Sequence, residues 1–168
     1  MIYRNLGKPD EALKYYQQAL EIYQKIGHKQ GTANALIDIG VIYYDLGKPD
    51  KALKYYQQAL EINQKIGYEQ GTTFSLNNIG VIYYDLGKPD EALKYYQQAL
   101  EIDQKIGYEQ GTANDLNNIG LIYQELGKTD EALKYYQQAL EIFKRIKAQP
   151  QIEITSRNIQ EIKEKYKK

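Results

Sequence analysis

The sequence contains no cysteine and no tryptophan, and only one histidine and one methionine among its 168 residues. The absence of cysteine excludes disulfides, thiol catalysis and zinc sites built from thiolates. No apolar run approaches the roughly 18–20 residues that a membrane helix needs, and no charged segment followed by an apolar one opens the sequence. We therefore predict a cytoplasmic protein that binds no membrane.

An excess of charge of either sign is also missing. The 22 basic and 22 acidic side chains give a formal net charge of zero, and the pair Lys167–Lys168 lies at the tail. Nucleic-acid binding requires clustered lysine and arginine side chains that displace counterions from phosphates. We therefore predict no nucleic-acid partner.

The chain is rich, by contrast, in internal repetition. The stretch ALKYYQQALEI, which begins at Ala12, returns unaltered at Ala52, Ala92 and Ala132, always 40 residues apart. Self-similarity at a period of 20–50 residues is typical of stacked repeat architectures. The four copies of this stretch contain eight of the 18 tyrosines, so duplication accounts for much of the tyrosine content.

Each repeat contains two helical patterns. The second begins at Pro49 and Asp50, which suit the first turn of a helix, and Gly67 follows it as a left-handed C-cap. Its apolar residues recur at spacings of three and four: Ala52, Leu53, Tyr56, Ala59, Leu60, Ile62 and Ile66. The repetition of this pattern predicts second helices at about residues 9–26, 49–66, 89–106 and 129–146.

The first pattern runs from near Glu69 to just before Gly87, with a predicted buried side of Leu76, Ile79, Gly80, Tyr83 and Leu86. A mid-helix glycine costs about 1 kcal/mol relative to alanine, so its recurrence at 40, 80 and 120 indicates a close helix crossing. First helices are predicted at about residues 28–46, 68–86 and 108–126, a partial one at 1–6, and a C-terminal capping helix at about 150–167. Period-two alternation is absent, so the prediction is a single all-α array over residues 1–168.

A family resemblance lies in these same positions. The pattern Leu76-x-x-Ile79-Gly80-x-x-Tyr83, followed by Gly87, Ala92, Tyr96 and Ala99, resembles the tetratricopeptide repeat. The period of 40 exceeds the family's usual value of about 34. In this respect the chain is similar to the long-repeat branch that includes kinesin light chains and many bacterial and archaeal arrays. The resemblance implies a right-handed α-solenoid of antiparallel helix pairs, whose first helices line a concave peptide-binding groove.

Residues able to support catalysis are scarce and scattered. The single histidine, His28, lies at a repeat junction where the later repeats have Tyr68 and Tyr108, and we interpret it as a solvated loop residue. The pattern contains no GxSxG element, no phosphate-binding glycine loop and no set of metal ligands. We therefore predict no enzymatic activity, no cofactor and no metal. The tyrosine pair Tyr55–Tyr56 could form a stacking platform for bases, but we interpret it as core.

The candidate site is the side of the first helices opposite the predicted core. Its residues are Phe74, Asn77, Asn78, Val81, Tyr84, Asp85, Asn114, Asn117, Asn118, Leu121, Gln124 and Glu125. Stacked amides suit the backbone of an extended peptide, and the acids favour a partner segment that contains lysine or arginine. The apolar members of this face, Val41, Val81 and Leu121, have two open interpretations: ligand contact, or packing between adjacent first helices.

The predicted function is that of a protein–protein interaction scaffold. One alternative is a structural spacer or self-associating module, in the extreme a designed or consensus-like array, with homodimerisation through the incomplete helix at Met1–Leu6. A weaker alternative is a sensor of a signal peptide or small molecule, which Phe74 and Tyr84 would serve.

Overall fold

The computed structural model describes residues 9–165, and within this range every regular element is an α-helix. We number the helices in chain order: α1 Pro9–Lys25, α2 Lys29–Asp45, α3 Pro49–Ile66, α4 Glu69–Asp85, α5 Pro89–Lys105, α6 Glu109–Glu125, α7 Thr129–Arg145 and α8 Gln149–Lys165. They pack as sequential antiparallel pairs, so the prediction of an all-α array of helix pairs is confirmed. The predicted partial helix at 1–6 and residues 166–167 of the predicted capping helix lie outside the described residues.

The helix ends follow from local chemistry. Prolines at the first turn of α3 and α5 and acids beside them suit the positive end of the helix dipole. The helices end at glycines with a left-handed backbone, as at Gly67, where φ is 68°. At the corresponding position after α7, Lys147 adopts φ 58° without being glycine. Within each unit described below, these short turns allow successive helices to pack against one another.

The helices form two compact units. Unit 1 comprises Met1–Ile82 and unit 2 comprises Tyr83–Lys168, so the end of α4 belongs to unit 2. Among the described residues of both units, no helix is long and apolar enough to cross a membrane.

The core of each unit depends on one close helix crossing. In unit 1, a Cβ added to Gly40 on α2 would lie 2.6 Å from Cε1 of Tyr56 on α3. In unit 2, a Cβ added to Gly120 on α6 would lie 2.8 Å from Cδ1 of Tyr136 on α7. Only glycine leaves room for the tyrosine ring, so the predicted reason for these glycines is confirmed.

Unit 2 continues through α8. Ile159 and Ile162 on α8 join Ala132 and Tyr136 on α7 in one apolar cluster. Gln160, which occupies the position of Gly40 and Gly120 in the repeat, is exposed. A long polar side chain at this position cannot accept a tyrosine ring as Gly120 does.

One predicted core position is wrong. Leu86 was assigned to the buried side of its helix, but 44% of its surface is exposed. Because α4 ends at Asp85, Leu86 lies in the connecting turn, where no further helical turn covers it.

Candidate interaction surface

In unit 2, the candidate residues on α6 lie opposite its buried side. Leu116, Ile119 and Ile122 are buried, and this places Asn114 and Glu125 in solvent. The remaining candidates on α6 are half-buried: Asn117, Asn118, Leu121 and Gln124. The helix therefore presents a mixed amide and acidic face, which we call the first-helix face, together with the equivalent side of α2 and α4.

Several side chains of this face in unit 2 are engaged by neighbouring helices. The Tyr84 hydroxyl at the end of α4 donates to Oε1 of Glu125 at 2.5 Å. Burial, together with Glu125, raises the pKa of Tyr84 to about 12. Glu125 thus holds the end of α4 in place as well as contributing negative charge.

The amides of α6 make similar contacts. The Tyr136 hydroxyl donates to Oε1 of Gln124 at 2.8 Å, and burial raises the pKa of this tyrosine. Oγ1 of Thr155 on α8 donates to Oδ1 of Asn117 at 2.9 Å, which joins two successive first helices. The side-chain oxygens of Asn117 and Gln124 therefore each accept a hydrogen bond within the fold.

Leu121 bears on the two interpretations of the apolar stripe. It packs against the α7–α8 cluster that contains Tyr136 and Ile159. It is only partly exposed, so packing inside unit 2 accounts for at least part of its side chain.

In unit 1, the first-helix face of α4 carries one exposed aromatic residue. Phe74 is 54% exposed, whereas Asn77, Asn78 and Val81 are half-buried. Nδ2 of Asn78 donates to the backbone carbonyl of Phe74, one helical turn earlier, at 2.8 Å. Oδ1 of Asn77 is buried and accepts no hydrogen bond within the described residues.

The candidate residues therefore divide between the two units. Phe74, Asn77, Asn78 and Val81 belong to unit 1. Tyr84, Asp85, Asn114, Asn117, Asn118, Leu121, Gln124 and Glu125 belong to unit 2.

The tyrosine pair of α3, Tyr55–Tyr56, packs within the fold. Tyr56 is 1% exposed beneath Gly40, while Tyr55 is half-buried and stacks on Tyr43 with 5.4 Å between ring centroids. In unit 2, Tyr135 stacks on Tyr123 in the same way, at 5.3 Å. Both members of the pair in unit 1 thus pack within one helix pair.

His28 is exposed, as expected, but it also has a structural role. Its Nδ1 accepts a hydrogen bond from the backbone N–H of Gly31 at 2.9 Å and so caps the N-terminus of α2. Tyr108, at the same position before α6, provides no side-chain cap. The position of a polar residue just before a helix was the sequence signal for this role.

The sequence pattern did not lead us to predict one buried polar site. It is formed by one residue near the end of a second helix and one on the next first helix, 12 positions later. In unit 1 these are Asn63 and Ser75, and Nδ2 of Asn63 donates to Oγ of Ser75 at 3.5 Å. In unit 2 they are Asp103 and Asp115, which are 1% and 0% exposed.

A signal for this position was present in the repeats. Otherwise near-identical copies carry Tyr23, Asn63, Asp103 and Phe143 at the first place and Ala35, Ser75, Asp115 and Thr155 at the second. The residues at these two places change together while most of the surrounding repeat stays the same. This indicates that the two places are in contact.

These features define an α-helical repeat protein made of antiparallel pairs, with a mixed polar face on its first helices. The tetratricopeptide repeat family's sequence model matches residues 1–65 and 72–145. The chain belongs to the tetratricopeptide repeat family. No match is found among the curated proteins.

Solved structures share the fold at low sequence identity. RapI in its apo form is 21% identical with a TM-score of 0.90, over 99% of this chain and 61% of RapI. A candidate kinesin light chain of Podospora anserina with nearly identical repeats is 17% identical with a TM-score of 0.75, over 96% of this chain and 81% of that one.

An archaeal structure gives a third example. A signal transduction ATPase with numerous domains from Pyrococcus horikoshii, which has a tetratricopeptide repeat sensor, is 24% identical with a TM-score of 0.81. The match covers 91% of this chain and 24% of that protein. At these identities the likeness extends to the fold and not to the activities of the relatives.

Proposed function

We propose that the chain is a cytoplasmic protein-interaction module without a catalytic role. Its first-helix face binds a segment of another protein that contains lysine or arginine. Phe74 on α4 acts as the anchor in unit 1. Family membership supports the general role, since tetratricopeptide repeats serve as protein-interaction modules.

The exposed ring of Phe74 is the observation that carries the proposal. Aromatic side chains at the centre of an interface supply a large share of binding energy. Phe74 exposes 54% of its surface at a position where α2 and α6 have Asn34 and Asn114 and α8 has the exposed Ile154, so the fold does not require an aromatic ring there. The same face of α4 carries the half-buried Asn78 and Val81, one amide and one apolar side chain.

Charge supports the choice of partner. Neither α4 nor α6 contains any lysine or arginine, whereas their C-terminal ends carry Asp85 and Glu125. Glu109, at the start of α6, forms an ion pair with Arg145 at 2.8 Å. A negative surface of this kind steers a positively charged segment towards itself and disfavours an acidic one. In unit 2, Asn114 and Asn118 offer amides that could pair with the backbone of an extended segment.

A peptide-display selection on the full chain tests the proposal. We expect selected peptides to be enriched in lysine and arginine and to bind Phe74→Asn about tenfold more weakly. This variant restores the residue of the neighbouring repeats, so it should fold normally. Gln57→Ala, on the exposed side of α3, is the matched control and should bind as wild type does.

The double variant Asn77→Ala with Asn117→Ala extends the test to the amides. We expect weaker binding in the same assay. Selection that yields no binder, or binders that retain full affinity for Phe74→Asn, would refute the proposed site.

Self-association is the second candidate function. Two residues of α1 and the residue just after it are apolar or aromatic and largely exposed: Tyr15 at 52%, Ile22 at 58% and Ile26 at 63%. Exposed apolar surface of this kind favours contact with another copy. Light scattering over a concentration series distinguishes the two functions, because a strict monomer at high concentration would exclude self-association.

A further inference from the structure

A second surface lies on the other side of unit 1, between the second helices. A groove of about 470 Å³ opens between α1 and α3, and α2 forms its floor. Leu20 and Leu36 form its apolar part, and Gln24 and Gln58 add two amides. The rings of Tyr43 and Tyr55 form one wall, and Lys51 and Lys54 stand at its edge. Its size is within the range of about 300–1,000 Å³ that is typical of ligand sites.

The charge at this groove differs from the charge at the same position in the other repeats. The other three repeats carry a glutamate at the position of Lys51, namely Glu11, Glu91 and Glu131. Among residues 9–165, none that lines the groove is acidic. The substitution therefore replaces a negative charge with a positive one beside Lys54, which is three residues further along the same helix face.

The aromatic wall holds this charge in place. Nζ of Lys51 lies 5.3 Å from the centroid of the Tyr43 ring, a cation–π arrangement. Tyr43 in turn stacks on Tyr55, with 14° between the ring planes. Lys54 is exposed at the same edge. The groove thus combines an apolar floor, two aromatic rings and two ammonium groups.

We propose that this groove binds an acidic segment of another protein. One apolar or aromatic side chain of that segment enters between Leu20 and Leu36, and carboxylates on either side of it pair with Lys51 and Lys54. Complementary charge selects this partner over the basic segment assigned to the first-helix face. The site is independent of the proposed function, since it involves other helix faces and the opposite charge.

Fluorescence anisotropy with the full chain tests the site. The probe is a fluorescein-labelled decapeptide with one phenylalanine between aspartates and glutamates. We expect binding that weakens with added salt, and an affinity about tenfold lower for Lys51→Glu. Lys51→Glu inserts the residue of the other repeats, and an unchanged melting temperature should show that it folds.

Two further variants separate the groove from general charge. Lys94→Glu in unit 2 makes the same change of net charge and should leave the affinity unaltered. Glu131→Lys reproduces the Lys51 pattern beside Lys134, Tyr123 and Tyr135, and should add a second site for the probe. Equal loss in Lys51→Glu and Lys94→Glu would overturn the proposal.

Two other outcomes would also overturn it. The first is absence of binding by the wild-type chain at low salt. The second is binding of 2-naphthoate, a small aromatic carboxylate, as tightly as the peptide, because this would assign the groove to a small molecule.

Discussion

Units 1 and 2 bury different polar groups at the same place in nearly the same helix pair. Unit 1 places an amide and a hydroxyl there, Asn63 and Ser75, and Ser75 also donates to the Gly71 carbonyl at 2.8 Å. Unit 2 places two carboxyl groups there, Asp103 and Asp115. Asp103 lies against the backbone at Gly111, one helical turn before Asp115.

This difference matters because the two pairs have different costs of burial. An amide and a hydroxyl leave water at moderate cost when they hydrogen-bond each other, whereas carboxyl groups are more expensive to desolvate. The repeats can therefore share a backbone and nevertheless differ in stability. Variants that exchange the two pairs turn this comparison into a measurement.

The largest effect is expected from that exchange. Asp103→Asn with Asp115→Ser should raise the free energy of unfolding by roughly 2 kcal/mol or more, because it replaces two buried carboxyl groups with polar groups that cost less to desolvate. The reverse pair in unit 1, Asn63→Asp with Ser75→Asp, should lower it. Urea unfolding measures the total, and hydrogen exchange assigns the change to α5–α6 or α3–α4. No stability gain in the first variant would refute the argument.

The glycine crossings, which both units share, should respond alike. Gly40→Ala and Gly120→Ala should each lower the free energy of unfolding by about 1–3 kcal/mol, because the added Cβ overlaps a tyrosine ring. Urea unfolding is the measurement. Adding Tyr56→Leu to Gly40→Ala should recover part of the lost stability. A free energy of unfolding that Gly40→Ala leaves unchanged would show that the crossing has room for a methyl group.

The residues before α2 and α6 differ in whether they cap the helix, so exchanging them should change stability in opposite directions in the two units. His28→Tyr removes the hydrogen bond to the Gly31 N–H and should cost about 1 kcal/mol. Tyr108→His introduces the same cap before α6 and should increase stability by a similar amount. Thermal unfolding of both variants tests this, and a shift of the same sign in the two would contradict it.

The smallest effect is confined to alkaline solution. The pKa of Tyr84 is raised from 10.0 to about 12 in the folded chain, so the folded state favours the neutral phenol. Its contribution to stability is complete below pH 10 and is lost as the pH rises towards 12. Tyr84→Phe should flatten the fall of the free energy of unfolding over this window. An unchanged slope in urea titrations would show that Tyr84 does not set it.

The sequence predicted the all-α class and the close helix crossings at glycine. A mid-helix glycine recurring every 40 residues indicated a crossing without room for a side chain, and Gly40 and Gly120 confirm it. This inference succeeded because glycine in a helix has a cost that only a close neighbour explains.

The sequence could predict which side of the first helices the candidate residues occupy. It could not predict which of their side chains form hydrogen bonds within the fold. Helical periodicity placed Asn117 and Gln124 opposite the core. It could not show that Asn117 accepts a hydrogen bond from Thr155, 38 residues later, or that Tyr136 donates to Gln124. Such contacts depend on which helices lie side by side. The predicted binding roles of these residues remain predictions.

The sequence alone determined the repeat, the all-α class, the helix termini and the mixed polar face of the first helices. These follow from periodicity and from the backbone preferences of proline and glycine, which are local. Only the tertiary structure decided that Asp103 and Asp115 are buried, that His28 caps a helix, and that Lys51 lies beside an aromatic groove. Burial and contact are properties of two facing surfaces, and a single helix specifies only one of them.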